Sequence, residues 1–209
     1  MCEFVDKKNQ KTTIPGRDEK EHRLGQRGCV IWLTGLSGSG KSTIAQQLEL
    51  ELAKRGFLTQ TFDGDIIRSG INSDLGFSEK DRAENIRRIA EINKLFLKCG
   101  IICINSLISP THAIRKMAYE IIGRDNVIEV FLNASLEACE QRDTKGLYGK
   151  ARAGLIKDFT GISSPYEPPE NPDILLNTEK MTVEECVAAC VEAVNKLEAG
   201  SSKLEGRKK

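Results

Sequence analysis

The segment Val30-Ile31-Trp32-Leu33-Thr34-Gly35-Leu36-Ser37-Gly38-Ser39-Gly40-Lys41-Ser42-Thr43 decides the fold class of this chain. An apolar run ends in a Gly/Ser stretch that fits G-x-x-x-x-G-K-[ST] at every fixed position, from Gly35 to Ser42. Glycines let successive backbone N–H groups converge on phosphate oxygens, and a helix opening at Lys41 adds the positive end of its dipole. In such a loop Lys41 bridges the β- and γ-phosphates and the Ser42 hydroxyl ligates Mg²⁺. The spacing predicts a site for a nucleoside triphosphate over Gly35 to Thr43.

Outward from this loop the pattern alternates. Short β-branched or aromatic runs at Cys29–Thr34, Leu58–Phe62, Ile101–Ser106, Val127–Asn133 and Ile174–Thr178 read as strands. Helical spacing separates them: Ile44, Leu48 and Leu52 in 41–55; Ile86, Ile89, Ile92 and Phe96 in 78–98; and a stripe from Val183 to Leu197. Ser78-Glu-Lys-Asp81 has the look of a capping box. Strands alternating with helices predict a three-layer α/β/α fold of the P-loop type, with a mostly parallel sheet of about five strands. Residues 28–197 read as one domain, 1–27 as a flexible leader and 198–209 as a disordered tail.

Composition narrows the function. The 209 residues include 29% charged side chains that nearly cancel, with a net charge of +1, which excludes a generally basic nucleic-acid binder. No apolar run approaches the ~20 residues of a membrane span, and the charged start has no secretory core. Seven cysteines, an odd number without a C-x-x-C pair, read as small buried hydrophobes of a reducing compartment rather than a zinc site. A soluble cytoplasmic protein is expected.

The fate of the γ-phosphate needs further residues. No guanine-reading N-K-x-D is present, since Asn93-Lys94 is followed by Leu95-Phe96. The second strand ends in Asp63-Gly-Asp65, followed by Arg68; such carboxylates can hold Mg²⁺ or accept a proton from a hydroxyl, although an Asp-Gly turn looks the same. Arg82, Arg87 and Arg88 open the next long helix, all within reach of one site. The segment Arg142–Arg152, basic and with glycines at 146 and 149, reads as a lid that excludes water. Together these point to a kinase acting on a small anionic acceptor.

Residues 24–197 resemble the adenylyl-sulfate (APS) kinase family in order: the phosphate loop, Phe62-Asp-Gly-Asp65 with Arg68, Leu75-Gly-Phe-Ser78 with Asp81-Arg82 and Asn85, Leu107-Ile-Ser-Pro110, and Lys145-Gly-Leu-Tyr148 through Phe159-Thr-Gly-Ile162. The resemblance implies that ATP, with Mg²⁺, phosphorylates the ribose 3′-hydroxyl of adenylyl sulfate. It makes Asp65 the carboxylate that orients or deprotonates that hydroxyl and, with Ser42, holds the metal; Lys41 acts on the donor phosphates. Asp63, Arg68, Arg82 and Asn85 would belong to the acceptor site, with Phe77 and Phe159 sandwiching its adenine. Ile108, Ser109, Lys145 and Thr160 resemble further acceptor-site residues. Ser109 also matches a serine sometimes assigned a phosphorylated intermediate; a Ser-Pro turn starting the next helix explains it equally. A homodimer is implied as well.

Two positions depart from the family. Ile66 stands where Asn is usual, and Gly149 replaces a frequent Lys. Loss of one acceptor hydrogen bond is worth about 0.5–1.5 kcal/mol. Hence an APS-kinase-like phosphotransferase with another small nucleotide or phosphorylated acceptor is the alternative. A catalytically silent nucleotide-binding module is opposed by Lys41, Asp65 and Arg82.

Overall fold

The computed structural model of the chain describes residues 3–5 and 11–205. A short antiparallel hairpin, β1 (Glu3–Val5) and β2 (Lys11–Thr13), precedes helix α1 (Arg17–Leu24). The alternating part follows: β3 (Val30–Thr34), α2 (Lys41–Lys54), β4 (Thr59–Asp63), α3 (Gly64–Ser69), α4 (Glu79–Leu97), β5 (Ile102–Ser106) and α5 (His112–Ile122). A 3₁₀ turn leads into β6 (Val127–Asn133), then α6 (Leu136–Gln141), α7 (Leu147–Arg152), β7 (Ile174–Asn177) and α8 (Val183–Glu205).

Five strands form one sheet in the order β4-β5-β3-β6-β7, every pair parallel. Strands β3 and β5 are buried along their whole length, as strands covered on both faces must be. Ile31, Leu33, Ile104, Val130 and Leu132 pack on Ile44, Leu48 and Leu52 of α2 and Cys190 and Val194 of α8. The opposite face sets Val30, Trp32 and Phe62 against Ile86 and Ile89 of α4 and Ala118 and Ile122 of α5. Each such aliphatic side chain contributes about 1.5–3 kcal/mol by leaving water. A reciprocal amide pair, Asn93 with Asn105 at 2.8 and 3.0 Å, ties α4 to β5 without leaving a polar group unpaired.

The central place of β3 positions the site. Its carboxyl end delivers Gly35 between the ends of β5 and β6, the crevice where ligands bind in open parallel sheets.

Both expected ends of the domain differ. Part of the leader is ordered: Arg17 donates to Glu21 at 2.7 Å, Asn126 Oδ1 at 2.9 Å and the Gly28 carbonyl at 2.8 Å. Helix α1 has no buried residue, so hydropathy carries no trace of it. Helix α8 runs on to Glu205, past the expected boundary at 198, because each residue added to a formed helix gains a hydrogen bond. Residues 1–2, 6–10 and 206–209 of the leader and tail lie outside the described part. Of the cysteines, Cys29, Cys103, Cys139, Cys186 and Cys190 are buried as expected, but Cys99 is exposed; Cys2 is not described.

Candidate active site

The phosphate loop is shaped by glycines that no other residue could replace. Gly35 has φ 155°, and a Cβ there would lie 2.7 Å from Ser39 Oγ and 2.8 Å from the Leu132 carbonyl. Gly38 has φ 76° and sits so close to α6 that a Cβ would meet the Cys139 carbonyl at 2.7 Å. Lys41 opens α2 but folds back over the loop: Nζ donates to the carbonyls of Gly35 at 2.9 Å and Leu36 at 2.6 Å. Burial pushes this ammonium down to about 8, against the pull of Cys139, Asp63 and Asp65. The Tyr148 hydroxyl, from α7, donates to the Ser37 carbonyl at 2.8 Å and so pins the loop from the lid side. Ser39 and Lys41 are buried, while Ser42 and Thr43 lie open on the first turn of α2.

The two carboxylates of Asp63-Gly-Asp65 serve different partners. Asp63 caps α3, accepting from the Asp65 N–H at 3.0 Å, and takes the Ser42 hydroxyl at 2.6 Å through its other oxygen. Ser106 Oγ, at the end of β5, lies 3.2 Å from Ser42 Oγ. Asp65 instead pairs with Lys145 of the segment leading into α7. That hydrogen bond raises the Lys145 ammonium above its ordinary range. The metal pair expected from sequence was Ser42 with Asp65; the carboxylate that meets Ser42 is that of Asp63, because capping of α3 turns it toward α2. Ser42, Asp63 and Ser106 offer hard oxygen donors of the kind that fit Mg²⁺.

Across the cleft, Arg68 donates to the Gly76 carbonyl at 2.8 Å, and its guanidinium lies 4.5 Å from the centre of the Phe77 ring. Arg82 reaches three ways: Nε to the Phe77 carbonyl at 2.9 Å, Nη1 to Thr160 Oγ1 at 3.1 Å, and Nη2 to the Asp158 carbonyl. One side chain thus joins the aromatic residue before α4 to the segment that carries Phe159. The two rings are in different states. Phe77 is 57% exposed, whereas Phe159 is 9% exposed and packs edge-on against Tyr148 at 5.0 Å. Asn85 is buried on α4, one turn beyond Arg82. Arg87 and Arg88, expected near the same site, turn away: Arg87 pairs with Glu84, and Arg88 grips Asp74 at 2.7 and 2.9 Å as well as Glu84.

The loop after β5 forms the wall of the cleft. Ser109 adopts φ 41°, a left-handed conformation that costs a non-glycine residue about 1–2 kcal/mol. Its hydroxyl accepts from Trp32 Nε1 at 3.1 Å and donates to Thr34 Oγ1 at 3.0 Å; the residue is 2% exposed. Thr34 in turn donates to the Ile108 carbonyl at 2.7 Å. These bonds engage the Ser109 hydroxyl with the wall of the cleft. Arg115 of α5 completes the brace by donating to the Ser109 carbonyl at 2.8 Å. Trp32 and Tyr148 stood in the sequence only as parts of a strand and a motif, without a role, and Arg115 was not singled out; a helix-phased arginine inside an otherwise apolar face was the available sign for it.

The sequence family described as adenylylsulphate kinase matches residues 27–177. An adenylyl-sulfate kinase of Bacteroides thetaiotaomicron is 60% identical over 178 residues, covering 85% of this chain and 89% of that protein. One from Prochlorococcus marinus is 50% identical over 181 residues, 87% of this chain and 89% of its own length. The structure of the Mycobacterium tuberculosis APS kinase in complex with AMPPNP and APS matches with a TM-score of 0.77 at 43% identity, over 80% of this chain and 97% of that one. Among the described residues no helix is long and apolar enough to cross a membrane.

Proposed function

We propose that this chain, which belongs to the adenylylsulphate kinase family, transfers the γ-phosphoryl group of ATP to the ribose 3′-hydroxyl of adenylyl sulfate. The products are 3′-phosphoadenylyl sulfate and ADP. The observation that carries this reading is Arg82, which gathers Phe77, Thr160 and the backbone beside Phe159 at the mouth that Asp65 and Lys145 also span. Flat purines and anionic phosphosulfates call for that mixture of aromatic face and guanidinium.

The roles follow from chemistry. Amides of Gly35–Thr43 and the Lys41 ammonium hold the triphosphate. Asp65 accepts the proton of the acceptor hydroxyl as its oxygen bonds to the γ-phosphorus and the bond to the β–γ bridging oxygen breaks, releasing ADP. Ser42 and Asp63 would hold Mg²⁺ with ATP, and that ion supplies neutralisation of charge on the phosphate oxygens. Arg68, Arg82 and Asn85 bind the phosphosulfate and ribose; Asp63, Ile108, Ser109 and Thr160 shape the floor. Lys145 leaves Asp65 for the phosphates when they arrive. The family resemblance extends the proposal to a homodimer, which sedimentation velocity tests.

A second acceptor is favoured by one observation: Ile66, on α3 next to Asp65, is exposed and offers no polar group. The experiment is ADP release from Mg-ATP with and without adenylyl sulfate, with the nucleotide product identified by mass. Acceptor-dependent ADP and a product heavier by one phosphate support the reading. ATP binding without acceptor-dependent ADP refutes it and turns the search to other acceptors.

A further inference from the structure

Asn72 lies on the turn between α3 and α4 and is fully buried, at 0% exposure. Its main chain is fixed on both sides, the N–H donating to the Ile67 carbonyl at 3.0 Å and the carbonyl accepting from Leu75 N at 3.1 Å. Its side-chain Nδ2 donates to Asn85 Oδ1 at 2.9 Å and lies 3.4 Å from the Asn85 main-chain carbonyl. A main-chain carbonyl can only accept, so the nitrogen end of the Asn72 amide must face Asn85. That same nitrogen then occupies Oδ1, the only acceptor of the Asn85 side chain. What Asn85 has left is Nδ2, which makes no hydrogen bond to any described residue, although Asn85 itself is only 5% exposed.

We propose that Asn72 is a positioning residue for the acceptor: it locks the amide of Asn85 so that the donor end, and not the carbonyl end, is presented to the anion. The inference rests on the reading of Asn85 as an acceptor ligand. The lock makes every side chain offered to the phosphosulfate from this quarter a donor, since Arg68 and Arg82 have no acceptor atom at all. A free asparagine amide can turn over and present a carbonyl oxygen, which repels an oxyanion where a donor would bind it. Among the described residues Asn72 Oδ1 finds no partner, a sign that the residue is kept for its donor rather than for a balanced hydrogen-bond count.

The test compares Asn72→Leu, close in volume, with Asn85→Ala. Steady-state KM is measured separately for adenylyl sulfate and ATP, together with kcat and the melting temperature. Asn72→Leu is expected to raise KM for adenylyl sulfate roughly 10-fold or more, the worth of one hydrogen bond to a charged group, while KM for ATP stays within about twofold. Asn85→Ala should raise KM for adenylyl sulfate at least as far. If Asn85→Ala has no effect on that KM, the reading of Asn85 as a ligand fails and the proposal falls with it. If Asn85→Ala acts and Asn72→Leu does not, the positioning role alone is overturned. Should Asn72→Leu fail to fold, ¹H–¹⁵N spectra of the unaltered protein decide. The Asn72 Nδ2 protons must be protected from exchange before and after adenylyl sulfate is added, and the Asn85 Nδ2 protons must shift only on its addition. Exposed Asn72 amide protons overturn the proposal.

Discussion

Replacing Arg115 by methionine removes a buried guanidinium whose nitrogens are all engaged. Nε lies 3.2 Å from Glu129 Oε1, Nη1 donates to the Ser109 carbonyl at 2.8 Å, and Nη2 donates to the Glu167 carbonyl at 2.7 Å and lies 3.1 Å from His112 Nδ1. Both members of the ion pair are largely shut away from water, so the carboxylate left behind is poorly hydrated; among the described residues the Tyr119 hydroxyl still donates to it, at 2.9 Å. Breaking a buried pair from one side costs about 3–5 kcal/mol. For a domain of this length each kcal/mol moves the melting temperature by about 2–4 °C, so Arg115→Met should melt roughly 6–20 °C lower. Calorimetry and urea titration both read this directly. Adding Glu129→Gln removes the stranded charge while keeping an acceptor for Tyr119, and the double variant should recover a substantial part of the loss. A decrease below about 1 kcal/mol for Arg115→Met, or no recovery in the double variant, would refute the idea that this pair braces the loop at Ser109.

Three further outcomes are expected. Lys41 titrates near 8 in the free protein, whereas a bound triphosphate requires the ammonium. ATP binding must therefore take up a proton above about pH 8, and affinity should fall by up to about tenfold per pH unit there; calorimetry in buffers of different ionisation enthalpy measures the uptake, and a flat affinity from pH 7 to 9.5 would contradict it. Gly38→Ala forces a side chain onto φ 76° with its Cβ 2.7 Å from the Cys139 carbonyl, so equilibrium dialysis should show ATP affinity reduced more than about tenfold, while the core keeps the chain folded. Asp65→Ala should bind ATP normally in the same assay yet lose about 10²–10⁴-fold in acceptor-dependent turnover; near-normal turnover would remove Asp65 from the proton transfer.

What could be read from the chain alone was whatever is written locally. The phosphate loop is a contiguous pattern between an apolar strand and an amphipathic helix, and Cys29–Thr34 has no competing reading. The same holds for α4, where Ser78 caps by accepting from the Asp81 N–H at 3.2 Å. Other features depend on partners far along the chain. Arg17 orders α1 by reaching Asn126, and Gln26 holds the Leu58 and Gly100 carbonyls at 3.0 and 2.8 Å. Neither carries a hydropathic sign, so the leader read as unstructured. The divergence of Asp63 from Asp65 was hidden for a related reason: two carboxylates separated by one glycine look alike until a helix begins between them and gives one the cap. The place of Arg88 was equally illegible, since an arginine in a run of arginines does not declare whether it faces a cleft or a neighbouring carboxylate.

Polar links run across the cleft from Lys145 to Asp65 and from Arg82 to Thr160 and Asp158. Such a closure works by exchange of partners. Each bond broken when the flanks part can be remade at once, to water or to an arriving oxyanion, so opening disturbs none of the apolar layers on either face of the sheet. Traffic through the cleft is thereby uncoupled from the stability of the domain: the molecule can admit and release substrates at every turnover without approaching its own unfolding.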